Sequence, residues 1–392
     1  MKIITFGCRL NSFESELMQE LPYPEEAIVF NTCAVTAEAE RQCQQEIRKI
    51  HKLYPDAPLI VTGCAAQLNP ERYAALPGVV LVLGNREKLT LPRGGEKIQV
   101  APVSRGVDIP DLIPKSKRIR AFLQIQQGCD NACTFCVTRL VRGKNISLPP
   151  EKVLKQVQTL VRQGAQEITL TGVNTASYTF GFASLIKEIL NLNLVKRLRF
   201  GSLDPAILSQ DFIQLLTHPN MMPHLHFSLQ SGCNSVLHRM GRRHTTEQVK
   251  KLLSDLRSVR PDISFGADII AGFPEETEEE FEETYRFIRD NFITHLHVFP
   301  YSVRPGTPAE KKPQVPVHLR KERAKKLRLL GENLFNQFCD RFIGKTQEVL
   351  VEDGLEGYTP NYIKVLLSRP VTCGLISVPI TRKGKHGLVG HI

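Results

Sequence analysis

Strand-like apolar runs alternate with helix-like segments along most of this sequence, and the alternation restricts the fold more than any other feature. In the N-terminal part the runs are KIITF, AIVFN, PLIVT and VVLVL, and helical patterns such as NSFESELMQE separate them. Alternating strands and helices predict a parallel sheet that is covered by helices. We therefore expect an α/β domain at the N-terminus.

A second alternating series follows a proline-containing segment, APVSRGVDIPDLIPKSK, which indicates a linker. Its six strand candidates are RAFLQIQ, QEITLTG, RLRFGS, HLHFSLQ, ISFGADIIAG and THLHVFPYS. Six strand–helix units predict an α/β barrel with fewer units than a closed eightfold barrel. Short apolar runs between glycines and prolines at the C-terminus predict a small β-barrel or sandwich. The expected domains are residues 1–103, 118–343 and 344–392.

Local signals mark one helix start within the second series. The stretch PEETEEEFEET is strongly acidic, and carboxylates suit the positive end of a helix dipole. Thr277 is placed to cap this helix, with Glu280 reaching back to the cap residue.

The composition indicates a globular protein without membrane spans. The 392 residues are 42% hydrophobic and 23% charged, and no apolar run is long enough to cross a bilayer. No signal-peptide region develops at the N-terminus, so we expect a cytoplasmic protein. In a reducing compartment the ten cysteines are better explained as metal ligands or buried thiols than as a disulfide framework.

The charge distribution favours a polyanionic partner. The formal net charge is +11, and the stretch KKPQVPVHLRKERAKKLR holds eight basic residues and one acidic residue. A basic stretch of this kind suits a nucleic acid backbone, although a solvated helix face explains it equally well.

Three cysteines follow the rhythm of the first series, because each comes directly after a strand candidate. Cys8 ends TFGC, Cys33 ends FNTC and Cys64 ends VTGC. The carboxyl ends of parallel strands meet at one edge of a sheet, where open α/β folds build their sites. We therefore expect these thiols to converge in space, with three unrelated buried thiols as the alternative.

Three more cysteines, Cys129, Cys133 and Cys136, lie in QQGCDNACTFC at C-x3-C-x2-C spacing. They follow the first strand candidate of the second series, again at a carboxyl end. Zinc needs a fourth ligand, and the next candidates, His218 and Cys233, are remote in sequence. Three thiolates leave one iron of a 4Fe–4S cluster open to a non-protein ligand. The spacing therefore favours an iron–sulfur cluster over zinc.

With these motifs the sequence resembles the radical S-adenosylmethionine (SAM) superfamily and, more narrowly, its methylthiotransferases, over nearly the whole chain. The resemblance implies an N-terminal parallel-sheet α/β domain, a partial (β/α)6 radical SAM barrel and a small C-terminal β-barrel like the RNA-binding TRAM domain. The matching stretches are GCRLNSFES, NTCAVTAEAERQ, TGCAAQ, RLRFGSLDP, HLHFSLQSG, MGRRHT, DIIAGFPEET and FPYSVRPGTPA.

The resemblance also implies two 4Fe–4S clusters. Cys129, Cys133 and Cys136 would hold the cluster whose open iron binds SAM, from which one electron generates a 5′-deoxyadenosyl radical. The three N-terminal cysteines would hold an auxiliary cluster that supplies sulfur, methylated by a second SAM. The residues expected to contact SAM are Phe135, near the adenine, and three residues at strand ends, Gly172, Ser228 and Gln230.

For the substrate, TFGCRLNSFES and GYTPNYIKV are similar to the subgroup that converts N6-threonylcarbamoyladenosine at tRNA position 37, beside the anticodon, to its 2-methylthio derivative. The alternatives within the family are isopentenyladenosine in tRNA and a ribosomal-protein aspartate. A zinc-containing, non-catalytic RNA-binding protein is the alternative of another class. The partners implied are a tRNA anticodon stem-loop and an electron donor such as flavodoxin or ferredoxin, and we expect a monomer.

Two aromatic residues of the C-terminal segment, Tyr358 and Tyr362, are available to stack on RNA bases or to pack within the small β-domain. The remaining cysteines have no cysteine partners at ligand spacing and are expected to be small buried thiols. They are Cys43, Cys233, Cys339 and Cys373.

The resemblance weakens after the second cysteine motif. The family's hydrophobic pair, proline and aromatic are replaced by residues that include Thr138, Arg139 and Leu140, although Arg142 follows as expected. An expected arginine is replaced by Leu148. These departures bear on rate or substrate preference rather than on the class of reaction.

Overall fold

The computed structural model describes residues 1–90, 94–115 and 118–392. The last two residues of the predicted linker, 116 and 117, lie outside the described residues. Within the described ranges, no helix combines the length and the apolar character needed to cross a membrane.

The N-terminal part is a five-stranded parallel sheet whose strands follow the chain order β1-β2-β3-β4-β5. Strands β2 and β3 are buried along their whole length, which is why they read as continuous apolar runs rather than as an alternating pattern. The predicted α/β class is confirmed here. The elements are β1 (Lys2–Thr5), α1 (Arg9–Met18), β2 (Ile28–Thr32), α2 (Ala37–Leu53), β3 (Leu59–Gly63), α3 (Cys64–Leu68), α4 (Pro70–Ala74), β4 (Val79–Leu83) and β5 (Ile98–Gln99).

The central part contains all six predicted strands in parallel arrangement, in two three-stranded sheets. Two isolated bridges, Leu198↔Met221 and Leu203↔Phe227, connect the first sheet to the second. The first half consists of β6 (Arg120–Gln124), β7 (Gln126–Gln127), α5 (Thr138–Arg142), β8 (Ile146–Ser147), α6 (Pro150–Arg162), β9 (Glu167–Thr171), α7 (Phe182–Asn191) and β10 (Arg197–Phe200).

The second half of this barrel-like region ends in the longest helix described. Its elements are α8 (Gln210–Leu215), β11 (His224–Gln230), α9 (Asn234–Arg239), α10 (Thr246–Val259), β12 (Ser264–Ala271), α11 (Glu278–Asp290), β13 (His295–Pro300) and α12 (Val317–Asp340). The predicted start of α11 is confirmed, because Thr277 and Glu280 form a reciprocal capping box. The largest hydrophobic core lies between these strands and their covering helices.

The C-terminal part is a closed five-stranded barrel in the order β14-β15-β16-β18-β17. Closure leaves no free sheet edge, and the interior is filled by apolar side chains such as Val349, Val365 and Val378. The predicted small β-domain is confirmed. Its strands are β14 (Thr346–Val351), β15 (Glu356–Tyr358), β16 (Lys364–Leu367), β17 (Gly374–Gly384) and β18 (Gly387–Gly390).

Candidate functional site

The three N-terminal cysteines lie at the carboxyl ends of three adjacent strands. Cys8 follows β1 and precedes the first residue of α1, Cys33 comes directly after β2, and Cys64 opens α3 directly after β3. Because β1, β2 and β3 are neighbours in one parallel sheet, these positions share one edge.

Two glycines allow the chain segments at this edge to approach closely. Gly7 has φ +92°, and a Cβ atom there would lie 2.7 Å from the Cys33 Sγ atom. Gly63 has φ +94°, and a Cβ atom there would lie 2.4 Å from the backbone oxygen of Thr32. Both positions need the left-handed backbone that glycine adopts without strain. The glycine in each Gly-Cys pair is thus a condition for bringing the thiols together.

The second cysteine triad lies in the loop that follows β6 and β7. The Cys129 backbone N–H donates to the carbonyl of Gly143 at 3.0 Å, and Thr134 donates to the carbonyl of Met240 at 3.0 Å. Gly128 has φ +71°, and a Cβ atom there would lie 1.8 Å from the backbone oxygen of Lys144. The loop is therefore fixed at both ends, and its first turn has room only for glycine.

Hydrogen bonds point at the sulfur atoms of this loop. Backbone N–H groups of Asn131 and Thr138 donate to the Sγ atoms of Cys129 and Cys136, each at 3.4 Å. Arg242 Nη1 donates to the Cys133 Sγ atom at 3.5 Å. Such donors stabilise thiolate charge and are among the features that set the potentials of iron–sulfur clusters.

Several sequence motifs converge on this loop. Arg242 of MGRRHT donates to the Ser228 carbonyl of HLHFSLQSG at 2.7 Å and to Asp204 of RLRFGSLDP at 3.3 Å. Asn131, inside the cysteine loop, donates to the same Asp204 carboxylate at 3.0 Å. The motifs themselves were predicted from the sequence, but the roles of Arg242 and Asp204 were not. Their position as charged residues inside family-matching motifs is the signal by which they could have been found.

Burial favours the protonated form of four of these thiols. It raises the pKa of Cys33 to about 12 and also raises the pKa values of Cys8, Cys129 and Cys136. Metal ligation requires thiolates, so binding at either triad releases protons.

A fully buried arginine connects the two cysteine triads. Arg142 Nε donates to the Cys64 Sγ atom at 3.2 Å, and its Nη2 atom donates to Asn11 Oδ1 at 2.6 Å. The same guanidinium forms a two-pronged ion pair with Glu14, which also binds Lys88. Burial alone would raise the pKa of Glu14, but Arg142 and Lys88 hold it below its ordinary value.

Arg142 belongs to the radical SAM region, whereas Asn11, Glu14 and Cys64 belong to the N-terminal sheet domain. Gln127, two residues before Cys129, accepts a hydrogen bond from Arg142 Nη1 at 2.9 Å. The arginine therefore reaches a thiol of one triad and the chain next to the other. The sequence motif contains Arg142 but does not predict its role, because its partners are remote in sequence.

The four residues expected to contact SAM differ in their surroundings. Phe135 packs edge-to-face on Phe273 with ring centroids 6.3 Å apart. A Cβ atom at Gly172 would lie 2.7 Å from Gln126 Oε1, so glycine makes room there for a side chain of the protein. Ser228 binds Arg242, as described above. Gln230 has φ 74°, a strained conformation of the kind found at functional sites. Their contact with SAM stays a prediction.

Tyr358 and Tyr362 pack inside the protein rather than presenting free faces. Their rings stack on each other at 4.9 Å, and Tyr362 also stacks on His224 of β11 at 5.3 Å. Arg120 lies 4.8 Å from the Tyr358 ring centroid. These rings therefore pack at the junction between the small β-barrel and the radical SAM strands rather than in the core of the barrel, and stacking on RNA bases stays a prediction.

Of the remaining cysteines, Cys43, Cys233 and Cys339 are buried as expected. The expectation for Cys373 is wrong: this residue is exposed, and its Sγ atom donates to the Glu352 carbonyl at 3.2 Å. It lies in the connection before β17, where the short barrel offers no interior position. Leu148, the residue in place of an expected arginine, is a buried core residue.

The spacing of the thiols tests which metal group fits. Among the described residues, the group of three whose ligand atoms lie within 4.8 Å of one another consists of His226, Asp268 and His297, and neither cysteine triad meets that distance. Around one zinc ion, with Zn–S bonds of about 2.3 Å, sulfur ligands lie roughly 3.8 Å apart. Wider triads with N–H donors on sulfur fit a multinuclear cluster better than a single ion.

Comparison with protein families identifies two matching regions. The model of the Radical SAM superfamily matches residues 123–288, which include the second cysteine triad. The model described as Uncharacterized protein family UPF0004 matches residues 1–84, which include the first triad.

Curated relatives match along most of the chain. Threonylcarbamoyladenosine tRNA methylthiotransferase MtaB of Rickettsia prowazekii (strain Madrid E) is 44% identical over 391 residues, covering 96% of this chain and 93% of the relative. MtaB of Bacillus subtilis (strain 168) is 36% identical, covering 92% and 89%. A tRNA-2-methylthio-N(6)-dimethylallyladenosine synthase of Wolbachia pipientis wMel is 34% identical, covering 90% and 87%.

Among solved structures, the radical S-adenosylmethionine methyltransferase TsrM from Kitasatospora setae matches with a TM-score of 0.56. The match covers 77% of this chain and 67% of that chain at 17% sequence identity, so it supports the fold alone. The function is inferred instead from the curated relatives, which match most of this chain at up to 44% identity. The two cysteine triads lie in the two regions that the family models match. This chain belongs to the radical SAM methylthiotransferases.

Proposed function

We propose that this protein converts N6-threonylcarbamoyladenosine at position 37 of tRNA to 2-methylthio-N6-threonylcarbamoyladenosine. The observation that carries this proposal is the match to relatives named for that substrate, four of which are 34–44% identical and share at least 92% of this chain.

The residues of the cysteine loop would hold the SAM-binding cluster, and Cys8, Cys33 and Cys64 would hold the auxiliary cluster. When bound, SAM and the two clusters supply the hydrogen abstraction at C2 and the sulfur and methyl groups of the transfer. The chain itself supplies position: the N–H groups of Asn131 and Thr138 and the guanidinium of Arg242 orient and partly neutralise the loop thiolates. On the other side, Arg142 does the same for Cys64.

The two triads must act on one substrate atom, which makes their relative position part of the catalytic apparatus. Arg142 ties them together without a flexible connection, since its guanidinium binds Cys64 and Glu14 and its own helix follows the cysteine loop. Arg142, Glu14 and Lys88 are all buried, so this junction is shielded from solvent. Phe135, Gly172, Ser228 and Gln230 are proposed to line the SAM side of the cavity.

A tRNA substrate agrees with the surface charge. Exposed lysines at and before the start of α12, including Lys311, Lys312, Lys321 and Lys325, leave a basic surface suited to phosphate contacts. Arg320 and Arg323 of the same stretch are buried instead, and Arg323 pairs with Glu276 at 2.9 Å. In this basic stretch, the buried arginines therefore stabilise the fold, and the exposed lysines form a cationic surface.

Further parts of the proposal concern organisation and partners. The N-terminal methylthiotransferase domain comprises residues 1–103, the radical SAM barrel residues 118–343 and the RNA-binding β-domain residues 344–392. A monomer in the cytoplasm would receive electrons from a flavodoxin- or ferredoxin-type donor.

The principal alternative within the family is an isopentenyladenosine substrate, which relatives at 33–34% identity carry in their names. The two MtaB relatives at 44% and 36% identity exceed these values and favour the threonylcarbamoyl substrate. A ribosomal-protein aspartate fits the basic surface less well than RNA does. A structural zinc protein is disfavoured by the wide spacing of both thiol triads.

The test is mass spectrometry of nucleosides from total tRNA of a deletion strain beside its parent and a strain complemented in trans. The proposal predicts loss of 2-methylthio-N6-threonylcarbamoyladenosine, accumulation of the unthiolated precursor and restoration on complementation. An unchanged precursor with loss of the methylthiolated isopentenyl nucleoside would contradict the proposed substrate.

A further inference from the structure

A polar group outside the cysteine triads lies inside the strands of the radical SAM region. We name it the lumen group: His226 of β11, Asp268 of β12, His297 of β13 and Ser202 after β10. Asp268 Oδ1 accepts from His226 Nε2 at 3.1 Å and from His297 Nδ1 at 3.3 Å, while Oδ2 accepts from Ser202 at 3.2 Å. Ser202, His226 and Asp268 lie in stretches that match the family, but neither those stretches nor the comparisons assign a role to these side chains.

The hydrogen bonds fix what the lumen group offers to a ligand. Burial raises the pKa of Asp268, but the hydrogen bonds from both histidines more than offset this and keep the carboxylate ionised. Burial lowers the pKa of His226, so this ring is neutral and donates through Nε2. His297 is 62% exposed at the side chain, and its hydrogen bond to Asp268 uses only Nδ1. Because Asp268 accepts from all three side chains, what stays available to a ligand is the second ring nitrogen of the exposed His297 and the Ser202 oxygen as an acceptor, beside a fixed negative charge.

An arginine of the N-terminal domain enters the same region. Arg9, the residue after Cys8, donates from Nη2 to the Tyr362 hydroxyl at 3.0 Å and from Nη1 to the Phe200 carbonyl at 3.3 Å. Tyr362 stacks on His224, which lies two residues before His226 and on the same face of β11. Phe200 lies two residues before Ser202. Both contacts of Arg9, Tyr362 and Phe200, therefore lie close to residues of the lumen group.

Arg9 differs from the other arginines beside Tyr362 in its partners. Arg120 pairs with Glu352 at 3.0 Å, and Arg199 pairs with Glu167 at 2.8 Å. In the part of the chain that the structure describes, no carboxylate oxygen lies within 4.0 Å of the Arg9 nitrogens. A half-buried guanidinium with only neutral acceptors retains the capacity to bind a planar anion in a two-pronged manner.

The register places this region below the cysteine loop. Asp268 lies three residues before Ala271, the end of β12, and pairs directly with His297. At about 3.3 Å per residue, this is roughly 10 Å below the strand ends that face the loop. An adenine whose C2 atom faces the strand ends can extend its N6 substituent along the lumen, because C2 and N6 leave the ring in different directions.

From this geometry we propose that Arg9 and the lumen group form the subsite for the N6 substituent, with Arg9 binding its carboxylate and the lumen group binding its hydroxyl and ureido groups. The inference rests on the proposed function and names the part of the chain that recognises the threonylcarbamoyl group. An apolar isopentenyl substituent would remove water from Arg9 and Asp268 without replacing its hydrogen bonds. Sites built to bind polar groups reject such analogues strongly.

The experiment uses anaerobically purified, cluster-containing protein and three anticodon stem-loop RNAs. The RNAs differ at one adenosine, which carries a threonylcarbamoyl group, its neutral carboxamide analogue or an isopentenyl group. Equilibrium binding by fluorescence anisotropy and kcat/KM for methylthiolation are measured for the wild type and for Arg9→Gln. Arg48→Gln, which removes the same charge from an exposed position on α2, is the matched control.

The wild type is expected to prefer the carboxylate over the carboxamide by at least tenfold, since a guanidinium–carboxylate pair is charge-assisted and two-pronged. Arg9→Gln is expected to lower the affinity and kcat/KM only for the carboxylate RNA, which reduces the preference to about one. Its iron content is expected to stay unchanged, and Arg48→Gln is expected to retain the preference. His297→Ala, at an exposed position, lowers binding of both polar RNAs about fivefold and leaves the isopentenyl RNA within about twofold.

Equal losses on carboxylate and carboxamide RNAs in Arg9→Gln would overturn the subsite, as would a wild type that does not distinguish them. Both results leave the proposed function standing if the threonylcarbamoyl RNA is methylthiolated. Turnover of the isopentenyl RNA alone would overturn the proposed function together with the subsite.

Discussion

The two cysteine triads reach similar chemistry by opposite routes. Cys129, Cys133 and Cys136 lie within eight residues, on one loop fixed by its own turn. Cys8, Cys33 and Cys64 come from three loops, and only the order of β1, β2 and β3 brings them to one edge. The first triad is therefore a local property of the sequence, and the second is a property of the folded sheet.

This contrast explains the different supports around each triad. The local loop depends on a glycine turn and on N–H donors from its own residues. The dispersed triad depends on glycines that let separate strands approach and on Arg142, which comes from the other domain. Damage to the fold should therefore affect the dispersed triad first.

The largest expected effect separates the two triads outright. Replacing Cys129, Cys133 and Cys136 together by alanine should remove about half of the iron, since we propose that each triad holds one of two clusters, and should abolish reductive SAM cleavage. Replacing Cys8, Cys33 and Cys64 should also remove about half, while SAM cleavage persists. Iron analysis, electron paramagnetic resonance and assay of 5′-deoxyadenosine measure this.

The matched control replaces the buried Cys339 and the exposed Cys373, which lie outside both triads, and should leave iron content unchanged. If either triad variant retained all of its iron, the assignment of ligands would be wrong.

The next effect tests whether the cysteine loop is as local as the contrast implies. Gly128→Ala places a Cβ atom 1.8 Å from the Lys144 oxygen at φ +71°, so the loop must move. We expect strong loss of the SAM-binding cluster with the N-terminal cluster retained, measured by iron content and cluster spectra. Gly164→Ala, also at positive φ but with no atom within 4 Å, is the control for backbone strain alone. Equal cluster loss in both variants would contradict the steric argument.

Much of this arrangement follows from sequence patterns that act over short range. Alternating apolar runs predicted the strands of both α/β parts, and the position of each cysteine after a run predicted the shared edge. The Thr277–Glu280 capping box was visible because both residues lie within one helical turn. In each case, the physical interaction spans few residues or repeats with a fixed period.

The interactions that sequence patterns missed are long-range and depend on how domains dock. Glu14 and Arg142 are 128 residues apart, and Arg9 and Tyr362 are 353 apart. No sequence periodicity predicts such pairs, and the sequence does not distinguish an arginine that is buried in the fold from one that is exposed. The two-residue strand β5 was also missed, because two residues carry no alternation.

A third prediction addresses the support that the dispersed triad borrows from the other domain. Arg142→Gln leaves Glu14 and Lys88 buried with an incomplete network, and breaking a buried ion pair costs about 3–5 kcal/mol. We expect a lower free energy of unfolding, measured in urea on metal-free protein. Loss of the N–H donor to Cys64 should also make the auxiliary cluster harder to reduce, while the SAM-binding cluster is unaffected.

Arg139→Gln, on the same short helix but exposed, is the control and should change neither quantity. A shift of both cluster potentials together would show that Arg142 acts through the whole fold rather than through Cys64.

The smallest effect concerns the pH dependence of the same junction. Arg142 and Lys88 lower the pKa of Glu14 from its ordinary value of 4.5 although burial opposes them. A carboxyl group with a depressed folded-state pKa stabilises the fold fully above its unfolded pKa, and the stabilisation is lost as pH falls towards the folded pKa. The stability difference between wild type and Glu14→Gln should therefore be constant near neutrality. Below pH 4.5 it should narrow by about 1.4 kcal/mol per unit at most.

Because other carboxylates titrate in both proteins, subtracting the two unfolding free energies at each pH isolates Glu14. A difference that stays constant down to pH 3.5 (about one unit below the ordinary carboxyl pKa) would mean that the pKa of Glu14 is the same in the folded and the unfolded chain. The ion pairs of Glu14 with Arg142 and Lys88 would then add no net stability to the domain junction, and the contrast between the triads would rest on sheet topology alone.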